Sequence, residues 1–285
     1  MTLTRSSFLT GAGLATLAMA LPRAARAKDW TLVRVATEGA FPPFNMHSPS
    51  GQLIGFEPEL LVELARRMKV KTELTAQEWN GVIDGLNADK WDAIMDAVSI
   101  TPKREEVIGF SIPYVASPST FAVLKEGGPA LPGTGQRVQL GDQAATEAAI
   151  GDLKKAVAGK TVGVQVATIQ LDFLNTYLKD ALTIRTYPAS GDAMLDLKAG
   201  RVDLVMASGS NLVSVVEKSR GTYVMAGYGF LGGLLGRGSA VALRKGDTEL
   251  KALFDGAIRS MIEDGSMKTL VMKWFGYDVT APLGA

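Results

Sequence analysis

Apolar residues recur along the chain with two alternating periods. Leu32 to Thr37 alternates in strand fashion, with Val33 and Val35 on one side. A Gly/Pro loop, Glu38 to Phe44, follows. A helix near Pro58 to Met68 then carries Leu60, Leu61, Leu64 and Met68 on one stripe, and Pro58 suits its first turn. Lys71–Thr75 reads as a strand, Gly81–Ala88 as a helix and Trp91–Asp96 as a strand. After a Gly- and Pro-rich excursion from Gly127 to Gly141, the pattern restarts. Lys160–Gln165 is a strand, and Leu171, Leu174 and Leu178 lie in phase on a helix over Ile169–Leu178. A last long helix spans Asp247–Glu263 with the stripe Leu250, Phe254, Ala257, Ile258 and Met261. Asp247 is its N-cap and Gly265 its stop. A short helix carrying Leu270 and Trp274 closes the chain. Strands alternating with helices predict α/β architecture with largely parallel sheets.

A weak internal repeat adds to this. Leu86 to Ala97 resembles Leu197 to Ser208, with Leu, Ala, Asp and Met matching at the same offsets. Each copy reads as helix end, turn, buried strand and polar loop. Two copies of one such unit predict two similar lobes.

The first 27 residues have a different character. They carry Arg5, Arg23 and Arg26 and no acid, and run apolar or small from Phe8 to Leu21 before Ala25-Arg26-Ala27. That is the layout of a secretory signal peptide, and the apolar run is short for a membrane span. Ser6 stands where a twin-arginine signal would have its second Arg, which favours the general secretory route. The mature chain is then expected to be soluble and exported, and the resemblance described below places it in the periplasm. Composition narrows the chemistry further. The 285 residues carry 30 Lys+Arg against 29 Asp+Glu, a balance that speaks against non-specific nucleic-acid binding. Cysteine is absent, which removes disulfides, thiol catalysis and Cys-ligated metals. His47 is the one histidine, reads as an exposed loop residue, and leaves no basis for a His-rich metal site. No cofactor and no metal are expected.

Three stretches taken together carry a family resemblance. They are Ala36 to Phe44 leading to Gly55-Phe56-Glu57, then Trp91 to Arg104 with its Ser99-Ile-Thr-Pro-Lys-Arg104 run, and Ala240 to Lys245. The chain resembles the periplasmic amino-acid-binding proteins of ABC importers, solute-binding protein family 3, over residues 30–280. The resemblance implies the type II periplasmic-binding fold: two α/β lobes, joined by two hinge strands, with a ligand cleft between them. Mapped here, lobe one covers 28–117 plus 237–285 and lobe two covers 118–236. It also implies a site. Arg104 matches the position that grips the ligand α-carboxylate, and a guanidinium has the planar fork for it. Ser99 matches a carboxylate-binding position, and Ala97 one whose carbonyl faces the amino group. Ala167 and Thr168 match the start of a lobe-two helix, whose free N–H groups suit an anion. Phe41 and Trp79 match the pair that sandwiches the ligand side chain, where ring faces attract a guanidinium. Glu38 matches an acidic position used for a distal cation. Asp96 stands where relatives carry Ser or Asn, either as a second negative charge for the ligand or as a solvated loop acid. Gln165 and Gln170 are weaker candidates for polar contacts from lobe two.

Ser208 is a departure, since the family carries an Asp there to pair with the α-ammonium. Either Asp96 compensates, or the ligand lacks a free primary α-amine, as opines do. Segments Thr37–Pro43 and Ala76–Trp79 resemble opine binders. The expected function is therefore capture of a basic or arginine-derived amino acid by hinge closure. The expected protein has no enzymatic activity, acts as a monomer, and delivers its ligand to a membrane permease. The alternative is a periplasmic enzyme on the same fold, similar to cyclohexadienyl dehydratase, with Glu38 or Asp96 as general acid.

Overall fold

A computed structural model describes residues 30–283 of the chain; the signal expected over residues 1–27 lies outside the described residues. The first part contains β1 (Leu32–Thr37), three short strands β2 (Ala40–Phe41), β3 (Asn45–His47) and β4 (Leu53–Ile54), and α1 (Phe56–Met68). It continues with β5 (Lys71–Ala76), α2 (Val82–Asn87), β6 (Ala93–Ile94), the single turn α3 (Pro102–Glu105) and β7 (Gly109–Phe110). The middle part holds β8 (Ser119–Leu124), β9 (Arg137–Gln139), α4 (Gln143–Ala156), β10 (Thr161–Gln165) and α5 (Ile169–Tyr177). Then come β11 (Thr183–Tyr187), α6 (Ser190–Lys198), β12 (Leu204–Ser208), α7 (Gly209–Lys218) and β13 (Tyr223–Leu231). The last part is β14 (Ala242–Leu243), α8 (Thr248–Glu263) and α9 (Ser266–Phe275).

Two large sheets result. One has the order β5-β1-β6-β14-β7 and the other β11-β10-β12-β8-β13-β9. Each sheet is covered by its own helices around its own apolar cores, so the molecule has two lobes. The chain crosses from the first to the second between β7 and β8 and returns between β13 and β14. Val115 and Ser239 form an antiparallel bridge, which sets the two crossings side by side. The amphipathic stripes face these cores as their spacing predicts. Leu60 and Leu64 of α1 and Leu250, Phe254 and Ile258 of α8 are fully buried in one cluster. Each such side chain contributes about 1.5–3 kcal/mol.

The internal repeat has a structural counterpart. β6 runs parallel to β1, and β12 runs parallel to β10. Asp92 accepts from the Arg34 backbone N–H at 3.0 Å, and Asp203 accepts from the Thr161 backbone N–H at 2.8 Å. The matched aspartates thus hold the same strand start in the two lobes.

Five expectations need correction or qualification. The sheets are mixed rather than largely parallel: β14 runs antiparallel to β6 and β7, and β8 antiparallel to β12 and β13. The antiparallel strands flank the two crossings, so their direction follows from the exchange of chain between lobes. The strand expected over Trp91–Asp96 shrinks to β6, because Asp92 and Asp96 are recruited by side-chain partners. The excursion after Gly127 is partly regular, since β9 adds to the edge of the second sheet. His47 lies in β3 rather than in a loop, exposed, with Nδ1 3.0 Å from the Gly39 carbonyl. Asp247 does occupy the N-cap position of α8, but its side chain caps nothing and pairs with Arg244 at 2.7 Å.

Candidate functional site

Between the lobes lies a cavity of about 290 Å³, close to the lower end of the range for small-molecule sites. Glu38, Phe41, Trp79, Asp96, Ala97, Ser99 and Arg104 line it from the first lobe. Thr168 and Ser208 line it from the second, together with Ser119, Gln165 and Gln170. Ala167 does not line it. Its carbonyl instead accepts from Trp79 Nε1 at 3.2 Å, a contact from lobe to lobe.

The first-lobe wall is built by the loops that follow β1 and β6. Gly55 has φ +133°, and a Cβ there would stand 2.5 Å from the Phe44 carbonyl oxygen. Only glycine lets the start of α1 approach so closely. There, Phe56 N–H donates to Pro43 at 2.9 Å and Glu57 N–H to Phe44 at 2.8 Å. This docks the loop carrying Phe41 and Asn45 onto the helix carrying Glu57.

Arg104 is held by Thr101, Pro102 and Ser99. Thr101 caps α3 by accepting from the Arg104 N–H at 3.2 Å, and Pro102 occupies the first turn. The Arg104 guanidinium donates through Nη1 to the Ser99 carbonyl at 3.1 Å and lies 5.2 Å over the Trp79 ring. No carboxylate pairs with it among the described residues. Burial lowers its pKa to about 10, offset in part by the charges of Asp172 and Asp96. This is a desolvated cation, and a guanidinium fork has the geometry to pair with an anion. The geometry also qualifies the expected aromatic sandwich, because Arg104 itself occupies a face of Trp79.

The acids are equally distinctive. Asp96 is buried, not a solvated loop acid. Burial first, and then the charges of Glu57 and Glu38, push its pKa well above the usual carboxylate range. Glu38 accepts from Gln165 Nε2 across the cleft at 2.7 Å, and burial pushes it up to about 7 despite that bond. Sequence reasoning missed the group behind them. Glu57 is fully buried and accepts from Ala97 N–H at 2.7 Å, from Asn45 Nδ2 at 2.8 Å and from the Tyr114 hydroxyl. The Ala97 bond explains a strained backbone, since Ala97 has φ +49° in the left-handed region. The Ala97 carbonyl accepts from Ser239 Oγ at 3.1 Å.

The second-lobe wall is neutral. No carboxylate lines the cavity from that side among the described residues. Thr168 caps α5, accepting from Leu171 N–H at 3.3 Å, so the first turn of that helix faces the cavity. Ser208 ends β12 and shares a 2.8 Å hydrogen bond with Ser210. Gln170 Nε2 donates to Ser119 at 2.8 Å.

A cavity between two α/β lobes, each with its own sheet, with the charged groups on one wall, is the architecture of a two-lobed solute-binding protein. More particularly, residues 33–277 match the model of the bacterial extracellular solute-binding proteins, family 3, and the chain belongs to that family. It is similar to the octopine-binding periplasmic protein of Rhizobium meliloti, 41% identical over 269 residues, 87% of this chain and 91% of that one. It is also similar to the L-arginine-binding protein of Pseudomonas aeruginosa, 33% identical over 93% of this chain and 95% of that one. Among solved structures, it resembles a periplasmic His/Glu/Gln/Arg/opine family-binding protein from Silicibacter pomeroyi in complex with lysine. The TM-score is 0.71 at 31% identity, covering 87% of this chain and 98% of that chain.

Proposed function

We propose that this chain is the extracytoplasmic solute-binding component of an amino-acid ABC importer and captures an arginine-derived or other basic amino acid, opines included. One observation carries the reading: the cavity holds an unpaired cation, Arg104, and two carboxylates without a cation, Glu38 and Asp96. A ligand with a carboxylate and a separate cationic group satisfies both. Arg104 with Ser99 binds the carboxylate, Phe41 and Trp79 hold the chain, and Glu38 and Asp96 take the cation. Thr168 and Ser208 close over it from the second lobe, with Ala167 supporting Trp79 and the Ala97 carbonyl facing the amine. The neutral wall at Ser208 favours an amine without a free primary ammonium, as in an N-substituted arginine. The crossings near 117/118 and 236/237 act as the hinge, so that lobe one is 28–117 plus 237–285 and lobe two is 118–236. Closure is a population shift driven by contacts made only in the closed form. Residues 1–27 direct the chain to the periplasm, where it works as a monomer, without turnover, and docks on a membrane permease.

The test is a thermal-shift screen of unfolded, ligand-stripped and refolded protein against amino acids, opines, polyamines and arogenate. A shift with arginine, lysine or an opine, without turnover, supports capture. No shift with any cationic compound refutes it. The enzyme reading has one feature in its favour, a Glu38 carboxyl near 7 and so matched to general acid work. Consumption of arogenate would establish that reading instead.

A further inference from the structure

Asn45 joins two buried carboxylates. Its Nδ2 donates to Glu57 Oε2 at 2.8 Å and to Asp96 Oδ1 at 2.8 Å, while its Oδ1 accepts from Gly39 N–H at 2.8 Å. The donors divide unequally between the two acids. Glu57 receives three: Asn45, the Ala97 N–H and the Tyr114 hydroxyl. Asp96 receives the side-chain bond from Asn45 and a weaker interaction with the Glu38 backbone N–H, and its Oδ2 is buried with no hydrogen bond of ordinary geometry among the described residues. Hydrogen bonds to a carboxylate favour its ionised form, burial disfavours it, and a like charge nearby disfavours a second ionisation. The charge therefore resides on Glu57, and Asp96 is the acid left to hold a proton. Of the two, Asp96 is the one that lines the cavity.

We propose that Asp96 and Glu57, bridged by Asn45, form a single proton-exchanging unit at the cavity wall, and that a cationic ligand displaces its proton on binding. The displacement step rests on the cationic-ligand reading above; the shared proton does not. The charged and titratable groups facing Asp96 are Glu57 on α1, Glu38 after β1, Tyr114 in the first crossing and Arg104 on α3. Arg104 is the one cation among them and makes no hydrogen bond to Asp96, while Asp192 on α6 faces Glu38 from the second lobe. Without a ligand, the surroundings thus hold Asp96 in its neutral form. A ligand cation supplies the missing positive charge and the missing donors, and the proton leaves to solvent.

Proton release is read by titration calorimetry with L-arginine at pH 7 in buffers of different ionisation enthalpy. The Glu38→Gln protein is used, so that the other titrating cavity acid is silent. Release of at least about half a proton per arginine bound is expected; none overturns the proposal. A second arm needs no ligand. An acid whose pKa is raised by folding loses stability as pH rises from its unfolded to its folded value, and asparagine does not. The melting temperature of Asp96→Asn should therefore gain on that of the wild type by at least about 2 °C between pH 5 and pH 9. A difference that stays flat overturns the shared proton. Should arginine fail to bind this variant, octopine, an N-substituted arginine, is titrated in its place; the function proposed above fails only if the wild type binds no cationic compound, and this second arm still decides the proton pair.

Discussion

Replacing Arg104 by alanine separates ligand recognition from fold stability. In the ligand-free cavity the guanidinium has one carbonyl partner at 3.1 Å and the Trp79 ring at 5.2 Å, and no carboxylate among the described residues. Its burial is uncompensated, as its lowered pKa of about 10 records. A bound α-carboxylate would supply the missing counter-charge through two charged hydrogen bonds. Removing one partner of a buried pair costs about 3–5 kcal/mol, because the other charge is left stranded. Affinity for arginine should accordingly fall by at least about a hundredfold, at 1.4 kcal/mol per tenfold. Arg104→Lys keeps the charge but loses the fork, and should cost about tenfold. The unliganded protein should melt no lower in Arg104→Ala than in the wild type, because the deleted group was a desolvated charge. Calorimetry gives the affinities and a thermal melt of stripped protein gives the stability. An affinity within a few-fold of the wild type would falsify the carboxylate assignment. A large drop in unliganded melting temperature would assign Arg104 to the fold instead.

Four further substitutions probe the rest of the site and its frame. Glu38 is held near 7 by burial, so its ionised form is lost as pH falls below that value and affinity for a cationic ligand falls with it. Glu38→Gln should bind arginine about tenfold more weakly than the wild type at pH 8, with the gap closing by pH 5.5; a gap constant with pH would remove Glu38 from the cation site. Ser208→Asp places a carboxylate on the neutral wall, so arginine should bind about tenfold tighter and octopine more weakly, the reverse order counting against the reading of Ser208. Asp92 is buried between Arg34 at 2.9 Å and Arg244 at 3.0 Å, whereas its repeat partner Asp203 is half-exposed. Denaturant unfolding should show about 3–5 kcal/mol lost in Asp92→Ala and about 1 kcal/mol in Asp203→Ala, and equal losses would contradict this account.

The elements legible in the sequence were those that bury one face. α1 and α8 run close to their expected bounds because their stripes admit one period. β1 and β10 were legible because apolar runs bounded by turns suit inner strands. Strand direction was not legible. β8 and β13 are as apolar as their parallel neighbours, and only the crossing between lobes turns them round. β9 escaped notice because three residues among glycines and prolines carry no period.

The site divides in the same way. Arg104, Ser99, Phe41 and Trp79 stand within runs that resemble a known family, and the fold brings all four to one cavity. Glu57 stands in one of those runs too, but an acid in the first turn of a helix has an ordinary explanation in the helix dipole. Nothing local signals that Asn45, 12 positions earlier, will link it to Asp96, 39 positions later. That link is tertiary, and it changes what the cavity asks of a ligand. The first lobe holds all the charge that lines the cavity and the second lines it with hydroxyls, amides and the start of α5. On the function proposed above, charge would be read before the lobes meet, on the wall that carries Arg104, Glu38 and Asp96. The second lobe would then discriminate by shape and hydrogen bonding alone. A ligand with the right charges and the wrong bulk near Ser208 should occupy the open form and leave the closed one unpopulated, because it gains nothing from closure.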